Sequence, residues 1–201
     1  MSGNSRRLIG LTGSIGTGKS TVSNYLANTY KLPILDADIY AREAVKPGSP
    51  VLDDIVNRYG STIKLLDATL NRKALGEIIF NNPEEKLWLE GKIHPYVSDR
   101  FQSELNRLKS STIVLVIPLL LEAGMTDLVT EIWVVYCSYE QQIERLIGRD
   151  RLTLQQAEAR INSQFPLEKK VAAADFVLDN SSTLDHLLKQ VDAAIRSFPI
   201  N

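Results

Sequence analysis

Five short apolar runs recur along the chain, and none alternates strictly between hydrophobic and polar positions. They span residues 7–12, 32–35, 112–117, 131–136 and 176–178. Strands that are apolar on both faces are typical of a parallel sheet that is covered on both sides. Helical patterns lie between the runs. The chain is therefore predicted to adopt an α/β fold, with a mostly parallel five-stranded sheet and helices on both faces.

Two stretches are longer than a simple strand–helix–strand crossover requires. The first, 39–111, contains helical patterns at 51–59, 72–80 and 83–109. The second, 139–174, contains helical patterns at 139–149 and 153–164, and the latter begins with the capping-box pair Thr153 and Gln156. We therefore predict one domain with a core (about 7–60, 110–138 and 175–201), a helical insertion (about 61–109) and a second insertion (about 139–174).

Composition and charge exclude several classes of protein. Hydrophobic residues make up 44% of the 201 positions and the net charge is −1, which is typical of a globular protein and not of a nucleic-acid binder. The longest apolar run, 113–121, is too short to cross a bilayer, and the N-terminal stretch lacks the apolar region of a secretory signal. We expect a cytoplasmic protein with no nucleic-acid or membrane partner.

Cysteine usage narrows the chemistry further. Cys137 is the single cysteine, which excludes an internal disulfide and a cysteine-based metal cluster. It lies in an apolar run, so we predict a buried structural thiol rather than a nucleophile. No pattern in the chain sets its oligomeric state, and a monomer is slightly favoured.

A glycine-rich stretch, GLTGSIGTGKST, begins within the first apolar run. Its spacing satisfies the phosphate-loop pattern, and it lies between a predicted strand and a helical pattern at 21–30. Glycines allow close approaches that a Cβ obstructs, so successive N–H groups can surround a polyphosphate at a helix N-terminus. We predict that a nucleoside triphosphate binds through Gly13, Ser14, Ile15, Gly16, Thr17, Gly18, Lys19, Ser20 and Thr21.

Other motifs in the chain indicate the class of phosphate-loop protein to which it belongs. The chain has no Asn-Lys-x-Asp tetrapeptide, which a GTPase uses to read guanine, and its third predicted strand ends without an acid, unlike that of motor-type ATPases. A small-molecule kinase that uses ATP and Mg²⁺ is favoured. Lys19 is then a point charge for the terminal phosphates, and Ser20 offers its hydroxyl to Mg²⁺.

An acid for the acceptor hydroxyl is expected beside the loop. Asp36 and Asp38 leave the carboxyl end of the second predicted strand, where open α/β sheets bind ligands. We predict that at least one is catalytic, and the alternative is that one merely caps the helix beginning near Ile39. The arginines of the second insertion are expected to close over the phosphates as a lid, or else to lie on a solvated helix face.

Motifs along nearly the whole chain, from about Leu8 to Val191, resemble those of the dephospho-coenzyme A kinase family. Together with the phosphate loop, the motifs are Asp36-Ala-Asp38-x-x-Ala-Arg42, Val45-x-Pro47-Gly48, Asn71-Arg72, His94-Pro95, Pro118-Leu-Leu-x-Glu122, Gln142-x-x-Arg145-x-x-x-Arg149, Gln164, Ala174-Asp175 and Asp179-Asn180. The resemblance implies a P-loop three-layer fold, in which the helical insertion binds the acceptor and the second insertion is a lid.

The same resemblance implies the last step of coenzyme A synthesis, in which ATP phosphorylates the ribose 3′-hydroxyl of dephospho-CoA. Asp38 is implied as the base or positioning acid, with Arg42 near the acceptor. The implied catalytic residues are Asp38, Lys19, Arg145 and Arg149, and the implied substrate-binding residues are Asp36, Asp38, Arg42, His94 and Glu122. A structural, hydrogen-bonded His94 is the alternative to a substrate contact.

Two positions depart from the family pattern. Ser14 stands where a second glycine is frequent, and it fits if its φ is negative. Val116 stands where many members carry an aspartate, which leaves Ser20, water and phosphate oxygens as the Mg²⁺ ligands.

Two other functions stay open on the sequence. One is another small-molecule kinase, such as a nucleoside monophosphate kinase. The other is a nucleotide-binding regulator without turnover. Lys19, Ser20 and Asp38 argue against the regulator, because a sensor does not need an acid at the acceptor position.

Overall fold

The computed structural model describes residues 6–197, apart from the side chain of Asn81. Five strands form one sheet in the order β2-β3-β1-β4-β5, and all four pairings are parallel. The strands are β1 (Arg7–Thr12), β2 (Ile34–Asp36), β3 (Thr112–Val116), β4 (Glu131–Tyr136) and β5 (Phe176–Asp179). The predicted fold class is therefore confirmed, with the first strand at the centre of the sheet.

Nine α-helices are present in the described part of the chain. They are α1 (Lys19–Tyr30), α2 (Ala37–Ala44), α3 (Pro50–Tyr59), α4 (Arg72–Asn81), α5 (Pro83–Arg107), α6 (Tyr139–Asp150), α7 (Leu154–Asn162), α8 (Leu167–Ala172) and α9 (Leu184–Arg196). Short 3₁₀ turns lie at Ser61–Ile63 and Thr126–Leu128. None of the helices within residues 6–197 combines the length and apolar character needed to span a membrane.

The chain forms two compact units. The first, called the sheet unit here, runs up to Asp36 and resumes at Ser110. The apolar faces of β1, β3 and β4 are buried in it together with side chains from α1 and α9, including Leu26, Trp133 and Val191, all fully buried. The two insertions differ in this respect, because the second (139–174) belongs to the sheet unit and contributes its own small cluster around Leu146 and Ala157.

The second unit, called the helical unit, comprises Ala37–Lys109. Its core includes buried residues of α2, α3, α4 and α5, among them Ala44, Ile55, Leu75 and Leu89. The boundary near residue 61 that the sequence suggested therefore lies elsewhere in the structure, at Ala37. The reason is packing: α2 and α3 both contact α5, so they belong with the helices that follow them and not with the sheet.

The helix predicted near Ile39 is α2, whereas α8 and α9 were not specifically predicted. Asp36 ends β2 and Asp38 lies in the first turn of α2, so the helix begins at Ala37, two residues before Ile39. Helix α8 has six residues, which is too short for a period to show. Helix α9 is strongly amphipathic; Tyr25 and Tyr30 both donate to Asp192 on it, at 2.8 and 2.7 Å.

Candidate functional site

The phosphate loop joins β1 to α1 at the centre of the sheet, at the carboxyl end of the strand. Gly13 has φ +142, and a Cβ there would lie 2.5 Å from the carbonyl oxygen of Val135. Gly18 has φ +101, and a Cβ there would lie 2.3 Å from Nδ2 of Asn180. Both positions therefore require glycine, because the backbone shape and the neighbouring atoms exclude any side chain.

The loop is braced from inside by its own residues. Lys19 Nζ donates to the carbonyl oxygens of Gly13 and Ser14 at 2.8 and 2.9 Å. Thr17 Oγ1 donates to the Ser14 carbonyl at 2.9 Å. Ser14 is not among the residues with positive φ in the described chain, so it fits the loop as the sequence required. The carbonyl oxygens of Gly13 and Ser14 are therefore hydrogen-bonded within the loop.

Helix α1 begins as an open anion site. Gly18 is its N-cap and supplies no side-chain hydrogen bond, and its first turn contains no acid. The first amide groups of a helix lack intrahelical partners and carry the positive end of the helix dipole. Together with Lys19, and with the exposed Ser20 in the first turn, they form the donor set that a phosphate requires.

A second set of contacts braces the loop from outside. Arg145 on α6 donates to the Gly16 and Thr17 carbonyls at 3.2 and 3.3 Å and to the Asn180 carbonyl at 2.8 Å. Asn180 Nδ2 in turn donates to the Thr17 carbonyl at 2.7 Å. Arg145, predicted as a lid arginine, thus contacts the loop backbone, and Asn180 is a loop contact that sequence reasoning left without a role.

Arg149, one turn further along α6, has a different environment. Its side chain is 63% exposed and forms an ion pair with Asp150, with Nε 2.8 Å from Oδ1. Arg160 of α7 contacts the same carboxylate at 3.1 Å. The hydrogen bond to Asp150 raises the pKa of Arg149, and that arginine lowers the pKa of Asp150. The pair holds Arg149 at the surface of the second insertion.

Asp36 and Asp38 lie on opposite sides of the boundary between the units. Asp36 is the last residue of β2 and pairs in register with Val116 of β3, whose side chain is buried. Asp38 lies in the first turn of α2 and is exposed. The two acids of one motif therefore belong to different compact units.

The helical unit contains an open cavity of about 390 Å³. Its walls are mostly apolar, and three charged residues, Asp38, Arg42 and Arg72, also line it. The apolar lining residues are Ala41, Val45, Leu70, Leu75, Gly76, Ile79, Leu89 and Ile93. The structure thus places Asp38 and Arg42 at one cavity, and it adds Arg72, which the sequence presented only as part of a motif.

His94 and Glu122 are not lining residues of that cavity. His94 lies inside α5 and is half-buried, next to the lining residue Ile93. Glu122 belongs to the sheet unit, where its Oε1 lies 2.8 Å from Nζ of the fully buried Lys170 and accepts from the Phe165 amide at 3.0 Å. The structure therefore shows Glu122 supporting the segment that follows α7.

Cys137 is fully buried, as predicted. Burial raises the pKa of its thiol, and its Sγ lies 3.9 Å from the Gly16 carbonyl oxygen. A raised pKa suppresses the thiolate that a nucleophile needs. The predicted burial of Cys137 is confirmed, and its structural role stays a prediction.

Comparison with known proteins identifies the family of the chain. A curated dephospho-CoA kinase from Trichormus variabilis is 62% identical over 190 residues, which is 94% of this chain and 97% of the relative. Among solved structures, a protein from Thermus thermophilus has a TM-score of 0.83 and 31% identity over 96% of this chain and 98% of its own. A dephospho-CoA kinase from Campylobacter jejuni has a TM-score of 0.69 and 28% identity over 94% and 96%.

The family model for dephospho-CoA kinase matches residues 7–186, a range that includes the phosphate loop, the whole helical unit and the second insertion. The likeness therefore covers both units and not the nucleotide-binding core alone. The fold predicted from the phosphate loop is the one these kinases share. The chain belongs to the dephospho-CoA kinase family.

Proposed function

We propose that this chain catalyses the last step of coenzyme A synthesis, in which the terminal phosphoryl group of ATP is transferred to the ribose 3′-hydroxyl of dephospho-CoA. The products are CoA and ADP. The observation that carries the proposal is the 62% identity to a curated dephospho-CoA kinase over 94% of the chain. The phosphate loop, with Lys19 across it, supports ATP as the donor.

The nucleotide is assigned to the loop and to the first turn of α1. Backbone amides there offer donors to the phosphate oxygens, and Lys19 supplies the fixed cation. Lys19 Nζ contacts two loop carbonyls, which keep the cation at the loop.

Mg²⁺ fits this site through Ser20, whose hydroxyl is exposed in the first turn of α1. Mg²⁺ prefers oxygen ligands and keeps several waters, so one or two protein oxygens suffice when phosphates supply the rest. The Val116 side chain has no oxygen that could bind Mg²⁺. Its neighbour in register on β2 is Asp36. When bound, the ion neutralises charge on the phosphates, and Ser20 is the residue that holds it.

The acceptor is assigned to the cavity of the helical unit. Its apolar walls suit the pantetheine arm and the adenine of dephospho-CoA, and Arg42 and Arg72 provide cations for the diphosphate. Asp38 lines the same cavity and is the residue that we assign to the ribose hydroxyl. By accepting a hydrogen bond from that hydroxyl, it orients the nucleophile and receives the proton as transfer proceeds.

Transfer of a phosphoryl group passes through a loose transition state with charge spread over its oxygens, so positioning and electrostatics supply most of the catalysis. Lys19 meets that charge from the loop. We assign Arg149 to the same task, which requires it to leave Asp150. Arg145 keeps the loop in shape through its carbonyl contacts.

Product analysis with ATP, Mg²⁺ and a panel of acceptors tests the assignment. We expect ADP release with dephospho-CoA, and a product phosphorylated at the 3′-position when examined by ³¹P NMR. Faster turnover of nucleoside monophosphates than of dephospho-CoA would instead identify the chain as a nucleoside monophosphate kinase. ATP binding without turnover of any acceptor would identify a nucleotide-binding regulator.

A further inference from the structure

The backbone amide of Ile15, inside the phosphate loop, is held by a residue 149 positions away. Ile15 N–H donates to Oε1 of Gln164 at 2.9 Å. The contacts of Lys19, Arg145 and Asn180 with this loop all end on carbonyl oxygens. Gln164 is different because it accepts from an amide, which is the kind of group that a phosphate loop uses to bind its ligand.

The segment that carries Gln164 is fixed by a buried ion pair. The next residue, Phe165, donates its amide to Oε1 of Glu122 at 3.0 Å. Lys170 Nζ, on a side chain with no exposed surface, lies 2.8 Å from the same oxygen and donates to the Pro118 carbonyl at 2.8 Å. Breaking such a pair leaves an uncompensated buried charge, so the segment is costly to displace.

The other side of the contact is tied to the same turn. Thr12, which directly precedes the loop, donates its hydroxyl to the Pro118 carbonyl at 3.1 Å. The turn from Pro118 to Glu122 therefore contacts both the start of the loop, through Thr12, and the segment after Gln164, through Phe165 and Lys170. Both partners of the Gln164–Ile15 hydrogen bond are thereby held in place.

We propose that Gln164 is a positioning residue of the nucleotide site: its side-chain oxygen holds the Ile15 amide and sets the shape of the first half of the loop to which ATP binds. A loop already ordered in its binding shape spares the ligand the entropy of ordering it. The proposal rests on the assignment of ATP to this loop, and it gives a role to a residue that the sequence presented only as part of a motif.

The first test separates the hydrogen bond from the bulk of the side chain. Gln164→Met keeps the length and removes the acceptor, whereas Gln164→Glu keeps an acceptor oxygen. Gln155→Met is the matched control, because Gln155 is an exposed glutamine of α7. We expect the Kd for ATP, by isothermal titration calorimetry, to rise about 3- to 10-fold in Gln164→Met, since a hydrogen bond of this kind contributes about 1 kcal/mol. The KM for dephospho-CoA and the affinity of Gln155→Met should stay unchanged.

The second test is amide hydrogen exchange in the nucleotide-free protein, followed by NMR at Ile15. We expect slow exchange in the wild type, in Gln155→Met and in Gln164→Glu, and exchange at least about tenfold faster in Gln164→Met, because an opened hydrogen bond exposes the amide to water. A wild-type ATP affinity in folded Gln164→Met, or equal Ile15 exchange in that variant and the wild type, would overturn the proposal.

Hydrogen exchange in the wild-type protein tests the proposal even if Gln164→Met fails to fold. Exchange of the wild-type Ile15 amide at the rate of an unstructured peptide overturns the proposal, and protection supports it. The exchange measurement needs neither nucleotide nor turnover. An inactive wild type would therefore contradict the proposed function while leaving this result intact.

Discussion

The phosphate loop and the cavity of the helical unit differ in how their polar groups are surrounded. The loop backbone is contacted by side chains from inside and outside, namely Lys19, Thr17, Arg145, Gln164 and Asn180. In the cavity, the three charged residues are exposed at the edge of apolar walls. The loop is braced by side chains from several elements, and the cavity offers an open surface.

This difference follows from what each region binds. A triphosphate is compact and highly charged, so amides and cations must be in place to replace its water. The proposed acceptor is long and largely apolar along its arm, and an open apolar wall accommodates it with a few charges to fix its orientation. We therefore expect substitutions in the sheet unit to affect nucleotide chemistry and stability, and substitutions in the cavity to affect the acceptor.

Lys19→Ala gives the largest expected effect on the organised side. Removing the cation should lower kcat/KM for ATP by about 10³-fold, because the terminal phosphates lose their fixed charge both when bound and during transfer. Steady-state kinetics with ATP varied measures this, with circular dichroism as the check on folding. Near-normal activity would contradict the assigned binding mode.

Glu122→Gln tests whether the sheet unit depends on its buried ion pair. Glutamine keeps an acceptor oxygen but removes the negative charge, so the ammonium of the fully buried Lys170 is left without a compensating charge, and we expect a loss of about 3–5 kcal/mol in the free energy of unfolding, measured with urea. Glu168→Gln, at an exposed position of α8, should change stability by less than about 0.5 kcal/mol.

A double variant sharpens this result. Glu122→Gln combined with Lys170→Met removes the stranded charge, and it should recover part of the lost stability. A single Glu122→Gln variant as stable as the wild type would show that the pair does not hold the segment.

Asp38→Asn tests the cavity side. Asparagine keeps the size and can orient the hydroxyl, but it cannot take the proton, so kcat should fall by about 10²-fold. That is the low end of the usual range, because a loose transition state needs little early proton removal. The affinity for ATP should change little, since the assigned phosphate contacts come from the loop and the first turn of α1.

Asp36→Asn is the matched control for Asp38. Asp36→Asn makes the same replacement of a carboxylate by an amide, at the last residue of β2. We expect it to lower kcat less than Asp38→Asn does. If Asp38→Asn retains more than about a third of the wild-type kcat, Asp38 is not the base. If Asp36→Asn is the crippled variant, the two roles are reversed.

Arg149→Ala is expected to have a smaller effect, confined to transfer. If Arg149 leaves Asp150 to meet developing charge, kcat should fall about tenfold or more while the KM for ATP rises less. Arg160→Ala is the matched control, because Arg160 contacts the same carboxylate. A change confined to KM in Arg149→Ala would make it a ground-state binding residue.

The smallest effect concerns a surface cluster of the helical unit. Arg58 donates to both oxygens of Glu85 at 2.6 and 2.8 Å, and this contact, with the Tyr59 hydroxyl, lowers the Glu85 pKa from 4.5 to about 2. The folded-state pKa lies below the unfolded value, so the stabilisation is present above about pH 4.5 and is lost as the pH falls toward 2.

Comparison of the wild type with Glu85→Gln measures this effect. The wild type should be modestly more stable at pH 7, and the difference in the free energy of unfolding should shrink between pH 4.5 and about 2. Urea unfolding at several pH values provides the data. A difference that is constant over this range would show that the Glu85 contact contributes no pH-dependent stability.

The strands, the phosphate loop and the family were predictable from the order of residues along the chain. The five apolar runs became five strands because buried parallel strands must be apolar on both faces. The loop could be predicted because Gly13 and Gly18 occupy positions where the backbone has a positive φ and where neighbouring atoms come close to the main chain. These backbone requirements involve only a few neighbouring residues, and the spacing of the glycines in the sequence therefore indicates them.

Contacts between residues that are distant along the chain were not predictable and became visible in the folded structure. Arg145 contacts Gly16 across 129 positions, Gln164 contacts Ile15 across 149, and Lys170 contacts Pro118 across 52. The division of the Asp36-Ala-Asp38 motif between two units likewise depends on the packing of α2 against α5. Periodicity and motif spacing constrain each segment locally, whereas these contacts depend on how the helices pack on the sheet and on one another, which no local pattern specifies.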